Sequence, residues 1–184
     1  MPTPQKLRPQ VILLGLVSLL NDAASEMIYP LLPVFLTSTL GATPAVVGLI
    51  EGAADGLASI LKYVAGWWSD RITRRKPFVV SGYAMAAASR AMIAAASIWP
   101  LVLFARLFDR TGKGFRSAPR DAIIADVTPR EQRGRAFGFH RALDHTGAVI
   151  GPLLAMLVLQ GFHFSLRQTF YFSVIPGAIG VVLL

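Results

Sequence analysis

Eight polar residues stand inside long apolar runs, and their types define the chemistry open to the chain. Asn21, Asp22 and Glu26 interrupt the first run, Glu51 and Asp55 the second, and Arg106, Arg110 and Lys113 the fourth. A charge at the centre of a bilayer costs at least ~2.5–3.5 kcal/mol, so such residues face protein or water and are functional candidates by default. A carboxylate in that position binds a proton or a cation, and a neighbouring Arg or Lys tunes that binding or holds an anionic solute. The competing reading is that these are paired structural charges that fix helix packing. Asp22 ranks first as a substrate or proton site, because Asn21 adjoins it, and Arg110 ranks second.

The elements that must carry these residues are transmembrane helices. Of 184 residues, 54% are hydrophobic and 15% charged, whereas a soluble domain carries about a quarter charged residues. The apolar excess falls in blocks long enough to cross a hydrocarbon core of ~30 Å. The sequence predicts an all-α integral membrane protein. It has a cytoplasmic tail over 1–10 and a six-helix bundle over 11–184, with helices at about 11–36, 44–68, 77–98, 101–127, 135–160 and 166–184. Pro30 and Pro33 should bend the outer third of helix 1. The small residues of helix 3 suit close packing. Helix 6 reaches Leu184 without a polar tail, and is expected to be a minimal or a truncated span.

Net charge is +8, but the cations are confined to alternate loops and one helix stripe, which excludes a nucleic-acid partner. Cysteine is absent, so there is no disulfide framework and no cysteine metal cluster. No metal site, no cofactor and no catalytic motif is expected. The first apolar run is too long, too acidic and too poor in cleavage-site residues for a signal peptide. His140 and His145 are read as a hydrogen-bonding pair at the cytoplasmic end of helix 5.

Cation placement sets the orientation. The tail and the 2–3 and 4–5 connections with their flanks hold Lys6, Arg8, Arg71, Arg74, Arg75, Lys76, Arg116, Arg120, Arg130, Arg133, Arg135 and Arg141. The 1–2 and 3–4 turns hold none, and the 5–6 turn holds only Arg167. The N-terminus and the end of helix 6 are therefore cytoplasmic. Helix rise then puts Asp22 ~16 Å and Glu26 ~22 Å from the inner start of helix 1. Asp55 and Glu51 on antiparallel helix 2 fall at matching depths, with Arg110 and Lys113 near the midplane. Arg106, Asp109, Arg110, Lys113, Arg116 and Arg120 lie within about 120° of arc on helix 4, a polar stripe suited to a water-filled cavity. Arg116, Arg120 and Asp121 are expected near the inner interface as gate or snorkelling residues.

Gly66-Trp-Trp-Ser-Asp70-Arg71-Ile-Thr-Arg74-Arg75-Lys76 is a short basic turn between apolar runs. In Gly66, Asp70, Arg71, Arg74 and Arg75 it resembles the signature loop between helices 2 and 3 of the major facilitator superfamily, with Thr73 where that family usually has a second glycine. Asp126-Val-Thr-Pro129-Arg-Glu-Gln-Arg133-Gly134 resembles the family's 4–5 loop. Gly147-Ala-Val-Ile-Gly151-Pro152 is similar to the core of its helix 5 antiporter signature, although Ala155 and Met156 replace a later glycine pair and His140 an earlier glycine. Arg106 and Gly112-Lys-Gly114 resemble the helix 4 signature loosely. Asn21-Asp22 with Tyr29-Pro30-Leu-Leu-Pro33 resembles bacterial efflux members.

The resemblance implies the N-terminal six-helix half of a secondary transporter in the bacterial cytoplasmic (inner) membrane. It implies alternating access, and proton-coupled efflux of a small organic solute. Asp70, Arg71, Arg74, Arg75, Asp126 and Arg133 would form the cytoplasmic gate. Expected partners are the solute, protons, the lipid bilayer, and a missing C-terminal six-helix half or a second copy of this chain. The alternative is a non-transporting half-transporter module that needs a second six-helix half, from a self-dimer or a separate chain.

Overall fold

The computed structural model describes residues 6–69 and 74–184. Six long helices carry it: α1 (Pro9–Glu26), α2 (Pro44–Ser69), α3 (Lys76–Ala95), α4 (Trp99–Val127), α5 (Arg133–Met156) and α6 (Leu166–Val182). Among the described residues, four helical stretches are long and apolar enough to cross a membrane: Pro9–Thr39, Pro44–Ala65, Lys76–Ala95 and Arg130–Gly161. α4 is long enough but carries the charged stripe, and α6 has only 17 residues, or ~26 Å of helix.

Proline chemistry shapes α1. Pro30 has no N–H for the carbonyl of Glu26, so the regular helix ends there. The chain continues in the same span as a 3-10 turn at Tyr29–Leu31, a short α piece at Leu32–Val34 and a π turn at Phe35–Thr39. Gly41, at φ 64°, takes the left-handed conformation that closes this stretch. At the other outer turn, Ser165 and Gln168 form a reciprocal capping box that starts α6. Arg167 donates to the carbonyls of Ala94 and Ala96, both at 2.8 Å. The single cation of the 5–6 turn thus caps the C-terminus of α3, where carbonyls lack helical partners.

Neighbouring helices follow the order α2, α4, α3, α6, α1, α5 around the bundle. Two apolar layers hold it together. The outer layer includes Ile28, Leu32, Phe35, Ile50, Ile93, Val102 and Phe170, with Phe35 and Phe170 edge to face at 5.0 Å. The inner layer includes Val11, Leu14, Val17, Val79, Tyr83, Ile124 and Ala136. Between them lies a polar layer that no soluble core of this size would need.

Glycines bring the backbones close enough to make that layer. A Cβ on Gly82 would meet Gly112 O at 2.5 Å, and one on Gly112 would meet Gly82 O at 2.8 Å. Gly112-Lys-Gly114 is therefore a helix-packing segment, Gly112 seating α4 on α3 and Gly114 seating it on Leu61 of α2. Gly147 likewise abuts Leu19 O, and a Cβ on Gly151 would lie 2.6 Å from Ala23 O. The helix 5 motif is in this respect the contact that seats α5 on α1.

Gly82→Ala should destabilise the fold by about 1–3 kcal/mol through overpacking, despite the better helix propensity of alanine. Gly52→Ala, where the added methyl meets open space, should not. Thermal unfolding in detergent reads both; equal melting temperatures would contradict the packing role.

Candidate functional site

Asp22 sits in a polar pocket of about 260 Å³ lined by α1, α4 and α5. Ser18, Asn21 and Asp22 come from α1; Lys113, Arg116, Ser117, Arg120 and Asp121 from α4; Arg141 and Asp144 from α5. The wall is amphoteric, four cations facing three acids. Ser18 and Asp22 share a face at i, i+4, as do Lys113 and Ser117, and Arg116 and Arg120.

Asn21 is nearly fully buried and orients Asp22. Its Nδ2 donates to Asp22 Oδ1 at 3.1 Å. Its Oδ1 accepts from Arg90 Nη2 at 2.6 Å. The same Nη2 donates to Asn21 O at 3.0 Å and Ser25 Oγ at 2.8 Å. Arg90 is 2% exposed and lies against Gly177 of α6, where a side chain would collide with its Nη1. The guanidinium thereby fixes which end of the Asn21 amide faces the carboxylate. Arg90, the one cation within the apolar run of helix 3, was given no role from the sequence. Its isolation in an Ala-rich, Gly-containing helix was the available signal.

The acids of α2 meet cations of α4 nearer the outer side. Arg106 Nη2 donates to Glu51 Oε2 at 2.5 Å, while its guanidinium lies over the Tyr29 ring at 4.2 Å. Arg110 is 3.7 Å from both Asp55 and Asp109. Tyr29 donates to Asp109 at 2.7 Å. Asp109 entered the sequence reading only as part of the helix 4 stripe and Tyr29 only as part of a family resemblance, neither as a site candidate, yet they join the proline-broken end of α1 to α4.

The α4 stripe is not one water-facing strip. Arg106, Asp109, Arg116 and Arg120 are buried, whereas Lys113 is exposed. Arg116 and Arg120, expected to snorkel, are 5% and 7% exposed. Arg116 donates to Gly82 O at 3.0 Å and stacks over Tyr83 at 4.7 Å. Arg120 makes two 3.0 Å hydrogen bonds to Asp121 Oδ1. Their 3.6-residue spacing turns them into the α3–α4 seam that Gly82 and Gly112 open.

Glu26 is away from Asp22's pocket, in a smaller cavity of about 190 Å³ with Pro30, Pro152, Met156 and Gln160. His140 is 1% exposed while His145 is exposed; five residues apart, they occupy different faces, so they are not the pair the sequence suggested. At the cytoplasmic end Arg75 forms an ion pair with Asp126, which brings the end of the 2–3 loop to the end of α4. Arg133 Nη2 donates to Ala125 O at 3.2 Å, and Arg74 is exposed. Asp70 and Arg71 lie outside the described residues, as do the surroundings of Gly66.

A six-helix bundle with an ionisable middle layer and a mixed-charge pocket is the architecture of a membrane transport module. The pattern of the Major Facilitator Superfamily matches residues 14–184, and the chain belongs to this superfamily, whose members are transporters rather than enzymes. It is 36% identical over 179 residues to the uncharacterized MFS-type transporter MJ1317 of Methanocaldococcus jannaschii, covering 97% of this chain and 44% of that protein. It is 26% identical over 156 residues to the quinolone resistance protein NorA of Staphylococcus aureus, covering 85% and 38%. The fold is similar to a bacterial homologue of the human lysosomal transporter Spinster, inward-facing and occupied (TM-score 0.76, 22% identity, 94% of this chain and 42% of that one). It is also similar to the human organic anion transporter MFSD10 (TM-score 0.70, 20% identity, 96% and 47%). The chain thus spans less than half the length of these relatives.

Asn21→Leu should cost about 1.5–3 kcal/mol, because it strips a buried charge of its shortest hydrogen bond. Adding Arg90→Leu should recover part of that loss, since the buried charge then goes as well. Thermal unfolding of the two variants checks this, and a double variant less stable than Asn21→Leu would refute it.

Proposed function

We propose that this chain is the N-terminal six-helix half of a proton-coupled transporter that exports a small organic solute by alternating access. The observation that carries the reading is the Asp22 pocket: a carboxylate deep in a membrane bundle, oriented by Asn21 and faced by Lys113, Arg116 and Arg120. An ionisable group at that depth is costly unless it has work to do or a full set of partners, and Asp22 has no salt bridge within 4 Å among the described residues. Four cations against three acids favour a neutral or anionic solute over a cation. The low-identity likeness to a quinolone resistance protein supports the export direction, and cation asymmetry supports a bacterial inner-membrane orientation with the N-terminus inside.

The remaining candidate residues take roles in the same reading. Glu51–Arg106 and Asp55–Arg110 tie α2 to α4 on the solute side, and Glu26 flanks the path near Pro152. Gly66, Asp70, Arg71, Arg74, Arg75, Asp126 and Arg133 form the inner gate, for which the Arg75–Asp126 ion pair speaks. Gly147, Gly151 and Pro152 seat α5 on α1 in the manner of an antiporter. The domain spans 11–184, preceded by a cytoplasmic tail.

A second reading has its own observation. The chain covers under half of its relatives, and α2 and α5, at the two ends of the helix order, are its least buried spans. A half-transporter module that needs a second six-helix half, from a copy or a separate chain, fits these facts.

Reconstituted in liposomes under an imposed pH gradient, the chain should move neutral or anionic solutes from a panel of mixed charge. Asp22→Asn should bring that flux to the level of empty liposomes, and Arg110→Ala should reduce it. Flux that survives in Asp22→Asn would refute the proton role of this acid. No flux from a well-folded chain, restored by a second six-helix half, would decide for the module.

A further inference from the structure

We propose that Asp22 on α1 and Asp144 on α5 hold one proton between them, and that His140 is the group through which this proton exchanges with the cytoplasmic side. The proposal rests on the reading of the chain as part of a proton-coupled transporter, and assigns to it a second carboxyl group and an exchange route.

The two carboxyl groups line one pocket across the α1–α5 contact, where Ser18, one turn before Asp22 on the same face of α1, donates to Asp144. Two carboxylates are acceptors only, so a hydrogen bond between them requires a hydrogen on one of them. Asp144 already accepts from Ser18 Oγ and lies 3.7 Å from Arg141, which leaves Asp22 as the donor. The charged and titratable groups around the pair are Lys113, Arg116, Arg120 and Asp121 from α4, and His140 and Arg141 from α5. Tyr83 of α3 lies beneath Arg116, and Arg90 of α3 reaches Asn21. The cation of α6, Arg167, is engaged with α3 carbonyls at the outer end.

His140 supplies the independent observation. It is 1% exposed, and its Nε2 is buried with no hydrogen-bond partner among the described residues. It stands four residues before Asp144 on the same face of α5, the spacing at which helical side chains meet, and one turn nearer the basic 4–5 loop. The step balances as a proton transfer. The Nε2 lone pair takes the shared hydrogen by way of Asp144, giving an imidazolium and two carboxylates. The imidazolium then releases a proton to water at the inner end, and nothing is oxidised or reduced.

The pair's position gives the proton mechanical leverage. Gly147 against Leu19 O and Gly151 against Ala23 O press α5 onto α1 within two turns of both acids. Two bare carboxylates there repel, and with the backbones in contact the strain falls on the helix pair itself. Proton loss therefore biases α5 to move relative to α1, the kind of two-state element that alternating access requires.

Infrared spectra of the detergent-solubilised chain across neutral pH test the pair. The wild type should show one protonated carboxyl band, lost in Asp22→Asn and equally in Asp144→Asn. A band that persists in Asp144→Asn, or none in the wild type, overturns it. His140→Gln should keep the band but slow its response to a pH jump by about a hundredfold; an unchanged rate overturns the route. Carbodiimide labelling of the wild type needs no variant to fold. A single adduct per molecule, on Asp22 or Asp144, supports the shared proton, and adducts on both carboxyls of one molecule overturn it. Loss of gradient-driven flux with the band behaviour intact would instead sink the transport reading and leave the pair standing.

Discussion

The constraint on which everything else rests is that a charge in hydrocarbon must find a partner inside the protein. Arg90, Arg106, Asp109, Arg116 and Arg120 are all less than a tenth exposed, and each is met by carbonyls, carboxylates, hydroxyls or aromatic faces. Arg116 uses a backbone oxygen, Gly82 O, that only an ungarnished glycine contact leaves reachable from α4. Arg106 divides its guanidinium between a carboxylate and the Tyr29 ring. Arg is suited to such positions because its planar fork serves several acceptors at once and is weakly hydrated.

That demand dictates the layering. Apolar layers at the outer and inner ends do the holding, and the polar layer between them is admitted by close helix approach at Gly82, Gly112, Gly147 and Gly151. The proline break after Glu26 belongs to the same logic. It releases α1 from regular helix just beyond the polar layer and turns Tyr29 toward Asp109, while Ile28, Leu32 and Phe35 of the irregular stretch stay buried in the outer apolar layer.

Much of this was legible in the sequence. Hydropathy marked the apolar blocks from which the long helices are built, because ~20 apolar residues are what a bilayer asks for, but it could not show that α1 leaves regular helix at Glu26. Depth arithmetic set Glu51 and Asp55 level with the cations of α4, because antiparallel helices of known rise leave little freedom, and the observed partners are Arg106 and Arg110 rather than Lys113. What escaped was azimuth. The wheel put six residues on one stripe, but a stripe 120° wide has two edges, and α3 buries one of them. Arg116 and Arg120 were therefore placed at the interface when they lie in the seam. Arg90 escaped for a related reason: it is near-isolated on its own helix, and its partners Asn21 and Ser25 are distant in sequence.

The two ion-pair groups also differ in kind. Glu51–Arg106 and Asp55–Arg110 link α2 to α4 through acids that are 39% and 75% exposed, so solvent competes for them and each contact is worth little on its own. The Asp22 group joins α1, α4 and α5, is more enclosed, and is tied through Asn21 and Arg90 to α3 and α6. A change of charge at Asp22 is consequently felt by five of the six helices, whereas one at Asp55 is felt by two. Asp22, near the C-terminal end of α1, is thus the acid whose surroundings reach most of the bundle.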